Sequence, residues 1–387
     1  MPENKNSTSG WKIWRFDQMA TNVNARIDNP SESGMEHYVG LEHLDSDSLK
    51  IRRWGTPDDV EATKLMFRKG DIIFGRRRAY QRKLGVAAFD GICSAHAMVL
   101  RAKPDIVLPE FLPFFMQSDL FMNRAVEISV GSLSPTINWK TLAVQKFVLP
   151  PIDEQARLVV LLQAIERTIE AHQDVGWSSG QLGRSLLADV LGRSWPVVEL
   201  GSVVQETQYG LSLNAGSEGR YPMLRMMNIE DGLCVENDIK YVDLNNKDFE
   251  AYRLVRGDVL FNRTNSYELV GRTGVYELEG DHVFASYLVR IKTRPERLEP
   301  KFLTLYLNSD LGRRQVLAYA TKAVSQANVN ASNLLRVRLP LPPLDVQTQL
   351  LDEIAGTKVA ERAAALRRSS AEEMKTQLLA EIARIAE

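Results

Sequence analysis

Two segments of the chain place apolar residues at the three- and four-residue spacing of a helix that buries one face. The first follows the phrase LPPIDEQ at 149–155 and carries Leu158, Leu161, Leu162, Ile165 and Ile169 as far as His172. The stretch GWSSGQLG then interrupts the pattern, which resumes through Leu182, Leu186, Leu187 and Val190. The second follows LPPLDVQ at 341–347 and runs to about Ala386. It sets Leu350, Leu351, Ile354, Val359, Leu366, Met374, Leu378, Ile382 and Ile385 on one side and charges on the other. In both phrases proline ends the preceding strand-like run, because it has no N–H for a ladder, and its fixed φ suits a first helical turn. Asp153 and Asp345 then stand at the positive end of each helix. Gly176, Gly180 and Gly183 predict a kink in the first helix, and Ser369-Ser370 a soft point in the second.

Outside these segments the pattern changes to short β-branched and aromatic runs, such as RKGDIIFGR and VFASYLVRIK, mixed with short helical stretches and turn residues, which predicts compact α+β globules. The chain is also written twice. Trp11 answers Trp195, YVGLEHL answers YPMLRMM, and RKGDIIFGR answers VRGDVLFNR, pairing Asp71 with Asp258, Phe74 with Phe261 and Arg76 with Arg263. PEFLPFFMQSDL answers PKFLTLYLNSDL, and the two proline phrases close the series. Each copy is thus a globule followed by a helix: 1–150 and 151–193, then 194–341 and 342–387. Neither helix can bury its stripe alone. The two are expected to pack as an antiparallel coiled coil that separates two pseudo-symmetric globules and holds them at a fixed distance.

Composition changes this picture little. With 44% hydrophobic and 25% charged residues the chain reads as an ordinary globular protein, and its apolar runs are too short to cross a bilayer. The polar start MPENKNSTSG lacks an apolar signal core, and two lone cysteines agree with a reducing compartment, so the cytoplasm is the expected location.

Charge is more informative in its distribution than in its net value of −1. Between Lys64 and Lys83 stand eight basic residues and one acid, Asp71. Lys69, Arg76, Arg77, Arg78, Arg82 and Lys83, with Tyr80 among them, suit phosphate and base-edge contacts, although a solvated strand-turn face would read the same way. The duplicated counterpart offers Asn262, Arg263, Asn265, Tyr267 and Arg272, with Arg225 upstream, residue types that pair with adenine and guanine edges. A second pair of loops, around Ser132, Ser134 and Asn138 and around Gln326, Asn328 and Asn330, could face a groove or serve as ordinary turn and cap residues.

Catalytic patterns are missing: there is no GxGxxG, no phosphate loop, and the scattered histidines do not form a zinc set with Cys93. The chain reads as a recognition protein. A protein-binding scaffold with two similar globules, or a DNA enzyme with an unfamiliar site, are the other readings.

Two globules, each containing Gly-Asp, two aliphatic residues, Phe, any residue and Arg, and each followed by Leu-Pro-Pro, an aliphatic residue, Asp, any residue and Gln, resemble the specificity subunit of type I restriction-modification systems. The resemblance runs from Trp11 to the end of the chain. It implies a non-catalytic subunit whose two target recognition domains each read one half of a bipartite site on double-stranded DNA. It further implies docking to two methyltransferase subunits, which would hold the methyl donor S-adenosylmethionine, and to restriction motor-nuclease subunits, with no cofactor or membrane of its own. One departure is that Val346 stands where the first phrase has Glu154.

Overall fold

The computed structural model describes residues 10–322 and 326–386, so the first nine residues assigned above to the first globule lie outside it. The chain divides into two units, Met1–Val175 with Ala363–Glu387, and Gly176–Arg362. Each unit joins one globule to part of each long helix.

Both globules are built on the same frame. In unit 1 an antiparallel sheet runs in the order Ala20–Val23, Ala97–Ala102, Ile72–Gly75, Leu84–Val86. Unit 2 repeats it as Val204–Tyr209, Leu288–Thr293, Val259–Asn262, Thr273–Val275 and adds Leu233–Cys234 and Ile229–Glu230. The central strand follows the repeated Gly-Asp turn. Gly70 and Gly257 have φ of 88° and 95°, which a side chain would resist. Asp71 and Asp258 accept the amides of Arg68 (2.8 Å) and Val255 (3.0 Å). Asp71 is also gripped by both ends of the Arg101 guanidinium, at 2.7 and 2.8 Å. In unit 2 the nearest cation is Arg290, at 3.7 Å, and burial raises the Asp258 pKa more than hydrogen bonding and neighbouring cations lower it.

A strand pair closes each globule: Lys12–Arg15 with Lys146–Leu149, and Val197–Glu199 with Arg338–Pro340. The aromatic core of unit 1, with Phe16, Phe74, Phe111, Phe115, Phe121 and Phe147, continues into Leu158 and Leu162 of the first long helix and Leu379 and Ile382 of the second. In unit 2 Val259, Phe261, Phe302 and Tyr306 continue into Val190, Leu350 and Ile354.

The repeated proline phrase has a structural cause beyond stopping a strand. Gln155 is buried at the start of the first helix. Its Oε1 accepts the Leu108 amide (2.9 Å), and its Nε2 donates to the carbonyls of Ile106 (3.1 Å) and Pro150 (2.9 Å). Gln347 does the same, accepting from Glu299 (2.9 Å) and donating to Arg297 (3.0 Å) and Pro342 (2.8 Å). These amides fasten each helix to the loop of its own globule. Asp153 and Asp345 fall in the first helical turns as expected.

The helices Ile152–Gly192 and Leu344–Ala386 pack against each other as an antiparallel pair. In unit 1 Glu166 meets Lys375, and in unit 2 the backbones at Gly180 and Gly183 approach Glu361 and Thr357. The first helix is continuous through GWSSGQLG, where a Cβ on Gly183 would come within 2.9 Å of the Thr357 hydroxyl, so this glycine allows the two helices to approach closely. The helix is likewise continuous through Ser369-Ser370. In the second helix Val359, Leu366 and Met374 lie outside the seam at 67, 71 and 58% exposure, while Ala364, Ala371 and Lys375 are buried.

Candidate nucleic-acid interface

The central strand of each unit delivers an arginine to the equivalent surface of its own unit. In unit 1 the strand Ile72–Gly75 runs into Arg76, Arg77 and Arg78. The small polar loop before the hinge folds onto them. The Arg78 amide donates to the Pro135 carbonyl (2.7 Å) and the Ile137 amide to the Arg76 carbonyl (2.9 Å). Ser134 Oγ accepts from Arg77 Nη2 and Arg78 Nε, both at 3.3 Å. Arg78 takes a left-handed backbone, φ 57°, which turns the chain so that Tyr80 stands 55% exposed. At the tip of the apposed loop, Leu133 is 91% exposed.

Unit 2 builds the equivalent junction. Thr264 and Asn265 pair with Asn328 and Ala327, and the Val329 amide donates to the Arg263 carbonyl (2.9 Å). Asn328 Nδ2 donates to Thr264 Oγ1 at 2.7 Å, and the Arg263 guanidinium lies over the Tyr209 ring at 4.8 Å. The two loop pairs, far apart in sequence, form one surface in each unit. That surface carries arginines, amides, hydroxyls and half-exposed rings, Tyr209 (42%) and Tyr267 (44%) among them. Its chemistry suits phosphate contact, stacking and base-edge hydrogen bonding.

Not every residue singled out in the sequence reaches this surface. Lys69 is exposed, but at the far end of the strand Ile72–Gly75 from Arg76, roughly 20 Å away at strand rise. Arg82 is held by Asp47 (2.5 Å), Asp119 (2.9 Å) and the Gln117 carbonyl (2.5 Å), on a cleft of about 600 Å³ that Glu166 and Lys375 also line. Lys83 donates to the Leu41 carbonyl at 2.7 Å. Arg225 is paired with Asp238 at 3.0 Å. Arg272 is exposed at the start of the strand Thr273–Val275, with its carbonyl accepting the Asn262 amide. Asn262 is fully buried, because the strand Val259–Asn262 is covered on both faces, and among the described residues its side-chain amide has no hydrogen-bond partner. Of the second loop pair, Ser134 and Asn328 meet the arginine-bearing loops, while Asn330 caps the short helix Ala331–Leu334.

The chain matches the family model described as the type I restriction modification DNA specificity domain over residues 26–175 and again over 193–354. Among curated proteins it is 30% identical over 173 residues to the putative type I restriction enzyme MjaX specificity subunit of Methanocaldococcus jannaschii. That alignment covers 42% of this chain and 40% of the relative's length. It is 24% identical over 333 residues to the type I restriction enzyme StySPI specificity subunit of Salmonella potsdam, covering 81% of this chain and 69% of the relative. Two solved structures share the fold with a TM-score of 0.60. One comes from work on complex assembly and conformational transition of the type I restriction-modification system (22% identity, 97% of this chain and 98% of that one). The other is the type I restriction-modification S subunit of M. genitalium (12% identity, 99% and 98%).

Proposed function

Because the chain belongs to the type I restriction-modification DNA specificity family, whose members recognise rather than catalyse, we propose that it binds double-stranded DNA at a bipartite target, one half-site per unit. Residues 1–150 and 194–341 act as target recognition domains, and 151–193 and 342–387 as helical spacers. Arg76, Arg77, Arg78 and Tyr80 engage one half-site. Arg263, Asn265, Tyr267 and Arg272 engage the other.

The observation that carries this reading is the recurrence of one junction, in which the loop after the central strand is hydrogen-bonded to the loop before the hinge at equivalent places (Ile137 to Arg76, Val329 to Arg263). A fold that merely needed to close would not require arginine there twice. Phosphate contacts supply salt-dependent affinity, and a few side chains supply base choice.

The helices present large apolar residues away from their seam, including Val160 (63%), Leu366 (71%) and Met374 (58%) in unit 1 and Trp177 (67%) and Val359 (67%) in unit 2. Such exposed apolar surface favours partner proteins, and methyltransferase and restriction subunits are the partners proposed, with the methyl donor bound by the former. No described helix is long and apolar enough to cross a membrane, and a cytoplasmic location fits a DNA-binding role.

Footprinting of a target fragment by the chain assembled with its partner subunits tests the proposal. Replacing Arg77 and Arg78 by alanine should abolish protection of one half-site and leave the assembly intact. Full protection by that variant would overturn the assignment of the surface.

A further inference from the structure

The last paired residues at one end of the central strands are Gly75 with Ala97 in unit 1 and Asn262 with Leu288 in unit 2. One residue further out, His96 therefore stands across from Arg76, and Tyr287 across from Arg263. The correspondence extends to the side chains. Arg76 Nη2 donates to the Ala95 carbonyl (3.1 Å) and Arg263 Nη1 to the Ser286 carbonyl (3.3 Å), so each guanidinium is tied beside the ring that follows. His96 is exposed, and Tyr287 is 48% exposed. Among the described residues none forms a hydrogen bond with the imidazole or with the Tyr287 hydroxyl, so folding makes no use of either polar group.

The contrast between the copies gives these positions a meaning. The arginine is the same in both units, as a sequence-independent phosphate anchor would be. The ring beside it differs, imidazole in one and phenol in the other, as two readers of different sequences would. Both rings offer a donor and an acceptor on a planar body that loses little rotamer freedom on contact.

We propose that His96 and Tyr287 are target-determining residues, one per unit, each contacting a base edge next to the phosphate held by Arg76 or Arg263. The proposal rests on the DNA face described above, and its test separates the two. The full chain, assembled with its partner subunits, is used to select preferred targets from randomised duplexes, for the unchanged protein, for His96→Ala, for Tyr287→Ala and for the Arg77→Ala/Arg78→Ala pair.

His96→Ala should relax discrimination about tenfold at a position within one half-site and leave the other half-site's preferences unchanged, and Tyr287→Ala should do the reverse. Affinity for unrelated duplex and its salt slope should not move. If both ring variants select the original target undiminished while the arginine pair loses a half-site, the rings are not readers although the face is correct. If a ring variant instead weakens all sequences alike with a shallower salt slope, that ring touches phosphate and the proposal is overturned. If the arginine pair also binds normally, the DNA face itself is misplaced. His96→Gln, which keeps a donor and an acceptor, should shift the preferred base, and Tyr287→Phe, which keeps the ring but loses the hydroxyl, should relax discrimination as the alanine variant does.

Discussion

Lys375 and Glu166 form an ion pair across the two long helices within unit 1, with side chains only 10 and 24% exposed. The Lys375 ammonium also lies 5.9 Å from the centre of the Phe114 ring and 3.5 Å from the Asp47 carbonyl. A lysine drawn this far from water needs its carboxylate. Lys375→Met should leave Glu166 unpaired and destabilise unit 1 by about 1–3 kcal/mol. Adding Glu166→Leu removes both charges and should recover most of the loss. Hydrogen exchange at unit 1 amides checks this, and a double variant no more protected than the single one would contradict it.

The buried glutamines of the proline phrase should tolerate even less. Gln155 both accepts and donates, so Gln155→Glu keeps the Leu108 bond while facing the Ile106 and Pro150 carbonyls with a carboxylate. The expected cost is about 2–4 kcal/mol, read as a lower urea midpoint, and Gln347→Glu should do the same in unit 2. Asp153→Asn, at an exposed first-turn position, should change stability by less than about 1 kcal/mol.

How legible this was in the sequence depended on whether the deciding contact was local. The duplication and the helical periodicity located both long helices, because a buried stripe leaves its own spacing behind. The apolar pattern lapses at GWSSGQLG although the helix continues, because Gly183 contributes close approach to Thr357 of the other helix rather than apolar bulk. The seam of the second helix was partly hidden because it runs through Ala364, Ala371 and Lys375, while the more apolar Val359 and Leu366 point away. At the candidate interface, the arginine run was visible but the direction of each side chain was not. Arg82 turns to Asp47 and Asp119, and Asn262 is shut in by sheet layers that only the tertiary fold supplies. Sequence proximity does not mark His96 and Tyr287 as neighbours of Arg76 and Arg263, because strand pairing sets them there. Aligning SAH with ASY between the copies was the one available signal.

Salt should distinguish anchoring from reading. Arg77 and Arg78 each stand to neutralise about one phosphate, so replacing both by alanine should reduce the slope of log K against log salt by about 2. Replacing Arg82, already held by two carboxylates, should leave the slope unchanged and lower stability instead. Anisotropy titrations at three or more salt concentrations measure both. A slope change for Arg82→Ala as large as that of the other pair would place its charge on the DNA after all.

Proton linkage should confine itself to one half-site. The His96 imidazole is held below the usual histidine range, first by partial burial and then by Arg77, Arg76 and Lys64, cations that face it from the loop after one strand and from the strand Lys64–Phe67. DNA phosphates that compensate those cations remove the electrostatic part of that depression, so the imidazole's pKa rises on binding and the complex holds more protons than the free protein. By linkage, affinity should then increase as pH falls below about 7, through the raised value of the complex and toward the lower one of the free protein. Calorimetry in buffers of different ionisation enthalpy should register proton uptake for the unchanged chain, and His96→Gln should abolish it. Destroying the second half-site in the DNA should leave the uptake intact, because the equivalent position in unit 2 is Tyr287, a phenol where unit 1 has an imidazole. Uptake that persists in His96→Gln, or that vanishes with the second half-site, would assign the proton elsewhere.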